Sequence, residues 1–336
     1  MGPLPAQRSR PPCRLLRPAE RESPSAQSCR RARLVSDHGR HPDGVPLVRV
    51  RHVMNQPDEP EVSTLAQRSV TRSFSVGALV QPLLDSLASE TPSEGYVRTG
   101  FADLDLLTLG IGPGELWLLT GRSGVGKSVL ATDLLRSCAL HQDRRALLLS
   151  RGENPESVAR RALCAEARIP LHHMQPGQMT DQDWARLPQR KDQVASAPLS
   201  LARANNLNVE AVEAILRADR SDADDPVHLL VIDDVPAGPD QMQTLSCLEA
   251  LARTRRMAVV AVVQEDIDQS QWQLRHLEQL ADVMIRVHRD DQETVDSPRI
   301  GEADLIVTRN RRGPVGRMVV HFQGHYGRFV DPARIR

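Results

Sequence analysis

The chain has 336 residues, 43 basic against 43 acidic, 40% hydrophobic and 26% charged, a composition that fits a globular protein of one large or two small domains. No stretch approaches the ~18 consecutive apolar residues of a membrane helix, and the Arg- and Pro-studded start has no apolar secretory core, so a cytoplasmic protein with no membrane partner is expected. The five cysteines (Cys13, Cys29, Cys138, Cys164, Cys247) are scattered and never paired as CxxC, which argues against a disulfide framework or a zinc site.

Residues 1–75 hold 13 arginines, no lysine, seven acids and 10 of the 24 prolines, with Phe74 as their one aromatic residue. Such a segment has too few apolar side chains to bury a core. It reads as a disordered, solvated Arg/Pro-rich tail, or as sequence upstream of a true start at Met54, in preference to a nucleic-acid-binding arm. Charge runs are usually just solvated, and 41 arginines against two lysines mark a coding bias. Residues 76–92 follow as a linker. In it Val76, Leu79, Val80, Leu83, Leu84 and Leu87 recur at spacings of three and four, one stripe of a short helix that Pro82 weakens. A lone amphipathic helix must dock its stripe, on its own domain or on a neighbouring subunit.

Residues 93–336 are the expected folded domain, where strands and helices alternate as in a mostly parallel α/β sheet. Strands are predicted at 115–120, 146–150, 199–202, 227–233 and 258–263. Helices are predicted at about 127–140, 155–167, 181–194, 209–219 and 245–255. Strands at 283–288, 303–309 and 317–322 close the chain, the last two as a β-hairpin.

The strongest chemical signal is Gly121, Arg122, Ser123, Gly124, Val125, Gly126, Lys127 and Ser128, a GxxxxGK[ST] run with a strand before it and a helix after it. The glycines let backbone N–H groups turn inward on phosphate oxygens, and the helix adds its positive end. Lys127 reaches the β and γ phosphates and Ser128 ligates Mg²⁺. In a chain whose only other lysine is Lys191, a lysine here points to chemical need, because a compact ammonium fits where a planar guanidinium does not. A second metal-holding carboxylate is required, and LLVIDD at 229–234 supplies Asp233 at the end of an apolar strand. Asp234, one residue on, is expected on the opposite face of the strand and structural.

Four stretches carry a resemblance: RTGFADLD at 98–105, the phosphate loop with Arg122 inside it, QMTDQDW at 178–184 and RNRRGPVG at 309–316. In this order they resemble the C-terminal motor domain of DnaB-type replicative helicases, a RecA-like P-loop ATPase fold, over about residues 76–331. RNRRGPVG is similar to that family's KNRNGPTG and argues against the RadA and KaiC branches. The resemblance implies a homo-oligomer, usually a hexameric ring, that binds ATP and Mg²⁺ between subunits and moves on single-stranded DNA in replication. By position Lys127, Ser128 and Asp233 would bind Mg-ATP, and Gln264 would sense the γ-phosphate. Arg309 and Arg311 would reach the next subunit's site as arginine fingers, and the helix near 76–87 would be the linker helix that docks on a neighbour.

The chain also departs from the family. Its SLEM motif, whose glutamate activates water, aligns with Ser150, Arg151, Gly152 and Glu153, so glycine falls on the catalytic position and Glu153, the candidate base, comes one residue late. Losing a general base costs ~10²- to 10⁴-fold in rate, so slow hydrolysis is expected. IDYLQL becomes IDDVPA, and only the acidic EDIDQSQWQ separates Gln264 from Leu274, where a longer basic DNA-contacting loop is usual. Two readings follow: an ATP-driven DNA helicase or translocase, and alternatively a degenerate ATP-binding scaffold or regulator. Retained Lys127, Ser128, Asp233, Arg309 and Arg311 favour the first. His172 and His173 lack companions at ligand spacing, Trp184 is expected in the core, and Trp272, in the loop after Gln264, is the one candidate base-stacking aromatic.

Overall fold

The computed structural model describes residues 75–77, 80–81, 84–85, 95–204, 206–219, 225–238, 240–265, 271–292, 294 and 296–332, without side chains for 271–274. Of the tail expected at residues 1–75, residues 1–74 lie outside the described residues. Of the linker helix, the described positions Val76, Gly77, Val80, Gln81, Leu84 and Asp85 are helical, and Val76, Val80 and Leu84 are exposed.

Among the described residues, nine strands form one sheet: β1 (Leu116–Thr120), β2 (Ala146–Ser150), β3 (Leu199–Arg203), β4 (Leu229–Val235), β5 (Ala258–Val263), β6 (Val283–His288), β7 (Glu302–Asn310), β8 (Gly316–Gln323) and β9 (Arg328–Val330). Their order is β3-β2-β4-β5-β1-β6-β7-β8-β9. From β3 to β6 every pairing is parallel, and β7, β8 and β9 add on antiparallel. The expected C-terminal hairpin is thus β7–β8, extended by the unpredicted β9. The central strands read LWLLT, ALLLS, LLVIDDV and AVVAVV because both faces are covered, and all are buried over their apolar runs.

The α-helices that accompany this sheet are α1 (Ala102–Thr108), α2 (Lys127–Arg136), α3 (Pro155–Ala167), α4 (Asp181–Ser196), α5 (Val209–Ala218), α6 (Gln241–Arg255) and α7 (Gln271–Leu280). Alternation along each strand divides the core. Trp117, Leu119, Leu148 and Val260 pack with α1, α2 and α3, whereas Leu116, Leu118, Leu147 and Val259 pack with α5, α6 and α7. The sequence missed α1 and α7. The helix expected at about 127–140 changes to a π turn over Ser137–His141, where the Gln142 amide accepts the Arg98 N–H and donates to the Arg98 carbonyl, both at 2.9 Å.

The helix behind the phosphate loop is held from two sides. Arg136 on α2 bonds Asp133 one turn earlier and Glu166 on α3, at 2.9 Å through Nε, while Asp133 accepts the N–H of Phe329 on β9 at 2.6 Å. Burial alone would raise the Glu166 carboxyl, but the His141 hydrogen bond and the Arg136 guanidinium bring it down to about 2 from an ordinary 4.5. A depressed folded-state pKa contributes stability above pH 4.5 that is lost as pH falls toward 2, up to about 3 kcal/mol. Glu166→Gln is therefore expected to lower the melting temperature at pH 7 and to flatten the decline of stability between pH 4.5 and 2. A melting curve against pH checks this, and an unchanged acid limb would contradict it.

Candidate nucleotide site

The loop between β1 and α2 is shaped by glycines that nothing else replaces. Gly121 has φ +142°, and a β-carbon there would lie 2.5 Å from the Val287 carbonyl oxygen; Gly126 has φ +104°, and a β-carbon there would lie 2.9 Å from the Phe329 ring. Val125 is buried and pins the loop to the core. At the first position of α2, Lys127 Nζ donates to the carbonyls of Gly121 and Arg122, each at 2.8 Å. Burial lowers its pKa, against the negative charges of Glu265, Asp233 and Asp234.

One residue on, Ser128 Oγ donates to Asp233 Oδ1 at 3.0 Å, joining the start of α2 to the end of β4 across β5. Burial raises the Asp233 carboxyl and the Ser128 hydrogen bond opposes it. A hydroxyl and a carboxylate at the mouth of a phosphate loop are the hard oxygen donors that Mg²⁺ takes, so the side chains fit that ion. Around them opens a cleft of about 500 Å³, which Ser123, Gly124, Gly126, Lys127, Ser128, Gly152, Glu153, Arg161, Asp233, Asp234 and Gln264 help to line. It sits at the carboxyl ends of the parallel strands, where α/β sheets bind ligands. Arg122 is exposed beside it.

Glu153 reaches this cleft already engaged. Arg161 donates to both of its oxygens, at 2.9 and 2.6 Å, and also to Thr132 on α2, at 3.1 Å. Arg309 and Arg311 stand elsewhere. Arg309 pairs with Met284 and donates to the Ala281 carbonyl at 2.7 Å, while the Arg311 guanidinium lies 3.1 Å from Asp282. Residues 281–284 are at the amino end of β6, whereas Gly121 lies against Val287 at the other end. At ~3.3 Å per strand residue the two arginines anchor roughly 10 and 17 Å below the loop along the strand direction. The same chain's site does not draw on them.

Residues 96–331 match the DnaB-like helicase C terminal domain family. The chain belongs to that family. The replicative DNA helicase DnaB of Leifsonia xyli subsp. xyli is 32% identical over 260 residues, 71% of this chain and 56% of that protein. The replicative DNA helicase DnaB of Mycobacterium leprae is 33% identical over 239 residues, 64% of this chain and 39% of that one. The chain thus spans about half the length of the curated DnaB relatives it matches. Among solved structures, an isolated ATPase domain shares its fold with TM-score 0.67 and 20% identity, covering 77% of this chain and 99% of that one. A DnaB-like replicative helicase solved with attention to its interactions with primase gives TM-score 0.66 and 22% identity, covering 77% of this chain and 67% of that one.

Within this DnaB-like domain several expectations need correction. Asp234 does not leave the cleft: the β4–β5 register shifts between Ile232 and Val235, Asp234 takes φ +65°, and its side chain lines the site. The pleat argument failed because it assumes a regular strand. Trp184 is 58% exposed, because α4 buries Asp183 alone among its residues. His173 does find a carboxylate, Asp183 at 2.8 Å, but that oxygen also accepts from Thr180 in the capping box of α4, which makes the contact structural. Trp272 belongs to α7 and not to a loop. Arg312, which the sequence left without a role, caps the amino end of the sheet: it bonds the Thr108 and Gly110 carbonyls and Glu115 and lies over the Tyr96 ring.

Proposed function

We propose that the chain is the ATPase motor of a DnaB-type DNA helicase, which binds ATP with Mg²⁺ in the cleft and hydrolyses it at contacts between copies to move on single-stranded DNA in replication. The assembly proposed is a ring, with six copies taken from the family resemblance. The supporting observation is the division of the catalytic set between two ends of one sheet. Lys127, Ser128, Asp233 and Gln264 face the cleft, while Arg309 and Arg311 stand at the far end of β6, where a neighbouring copy's cleft is the one they fit. The domain plan proposed is an Arg/Pro-rich segment to residue 75, a linker helix at 76–92 and the ATPase at 93–336. The exposed Val76, Val80 and Leu84 suit docking on a neighbour. No helix among the described residues is long and apolar enough to cross a membrane. Work in the cytoplasm is proposed from the replicative role.

In this reading loop N–H groups and Lys127 hold the phosphates and Gln264 reads the γ-phosphate. Mg²⁺, held by Ser128 and Asp233, would supply charge neutralisation of the phosphate oxygens. The test is steady-state ATP hydrolysis by the full chain, with and without single-stranded DNA, at low and moderate salt. Turnover that rises with DNA and falls as salt displaces the strand is expected. ATP binding with no DNA-stimulated turnover would instead support the nucleotide-gated scaffold.

A further inference from the structure

Five described non-glycine residues have left-handed backbone: Leu109, Asp143, Arg168, Asp234 and Arg256. Leu109, Arg168 and Arg256 cap the C-termini of α1, α3 and α6, an ordinary use of that conformation. Asp143 lies in the connection before β2. Asp234 alone sits inside a strand, at the register shift of β4 against β5. A non-glycine residue in that conformation costs about 1 kcal/mol, and such strain gathers where the geometry is used.

The twist brings two consecutive carboxylates into one cleft, where a regular pleat would separate them. They are not in the same state. Asp233 is engaged by Ser128, and Glu153, the other carboxylate of the cleft, is held at both oxygens by Arg161. Asp234 makes no hydrogen bond or ion pair with a described residue and is exposed to the cleft. Its Oδ2 lies 3.4 Å from where a β-carbon on Gly152 would stand. This carboxylate, not directly bonded to a described residue and within electrostatic reach of Lys127, therefore borders the space that a side chain at position 152 would enter.

Resting on the ATP-hydrolysis reading above, we propose that Asp234 is the catalytic carboxylate that orients the attacking water, in place of a glutamate at position 152. The water oxygen bonds to the γ-phosphorus as the bond from that phosphorus to the β–γ bridging oxygen breaks. ADP leaves with the electron pair, and the water proton passes to the Asp234 carboxylate and on to solvent. Glu153 is a positioning residue: it fixes Arg161, which ties the cleft wall to α2 through Thr132.

The test compares full-chain variants in ATP turnover and in binding of a non-hydrolysable ATP analogue. Asp234→Asn keeps the shape, and asparagine tolerates left-handed backbone. It is expected to lower turnover ~10²- to 10⁴-fold with analogue binding unchanged. Adding Gly152→Glu to Asp234→Asn is expected to recover turnover, since among the described residues a β-carbon there meets only the residue-234 side chain, at ordinary van der Waals distance. Undiminished turnover in Asp234→Asn would overturn the proposal, as would loss of analogue binding or a loss of turnover that Gly152→Glu does not recover. A wild-type chain that binds ATP without hydrolysing it would take down the ATPase reading together with this one, whereas hydrolysis that persists in Asp234→Asn overturns this one alone.

Discussion

Lys127→Ala is expected to cut ATP affinity by about 10²- to 10³-fold, the effect of removing one partner of a largely desolvated charge pair worth ~3–4 kcal/mol. Among the described residues the lysine has no acidic hydrogen-bond partner to lose. In the structure its ammonium is spent on the Gly121 and Arg122 carbonyls, both at 2.8 Å, which closes the loop. Those two bonds run from a charged ammonium to neutral carbonyls and are worth roughly 1.5 kcal/mol or more each, so the variant should fold with a lower melting temperature. Lys127→Arg is expected to fail nearly as badly, because a planar guanidinium cannot enter a loop whose glycines already approach Val287 and Phe329 closely. Binding of a fluorescent ATP analogue, read beside a melting curve, checks both variants. Affinity unchanged in Lys127→Ala would remove the phosphate-loop assignment.

The parts of this site that were legible in the sequence are those that obey local rules. A GxxxxGK[ST] run has one geometry when a strand precedes it and a helix follows, and a hydrophobic strand ending in aspartate has one end near that loop. Asp234 escaped because its position depends on a bulge between β4 and β5, a tertiary fact that alternation along one strand does not contain. The helix α7 escaped for a different reason. QWQLRHLEQL carries Leu274, Leu277 and Leu280 at spacings of three, but the acidic run before it reads as a shortened loop. Exposed Trp184 shows the limit of composition arguments, since a large aromatic residue in a chain with three tryptophans is expected inside until its helix is seen to bury almost nothing.

Arg311→Ala is expected to lower turnover by about 10³-fold or more while ATP binding stays near the wild-type level, the signature of a group that acts on transition-state charge from outside the site. Arg311 is the better placed of the two arginines, with its side chain 44% exposed beside Asp282, whereas Arg309 is half-buried on the Ala281 carbonyl. Position along the sheet then makes a stronger demand. If the arginine serves a neighbour, a chain lacking Lys127 and a chain lacking Arg311 each retain what the other has lost. In an equal random mixture, about a quarter of head-to-tail contacts would join an intact loop to an intact arginine, and activity should rise from near zero toward that fraction. If the arginine served its own loop, every site in the mixture would stay defective. The mixing experiment therefore reads the direction of the contact directly, and an inert mixture of two folded, associating variants would place Arg311 within one subunit, against its position at the far end of β6.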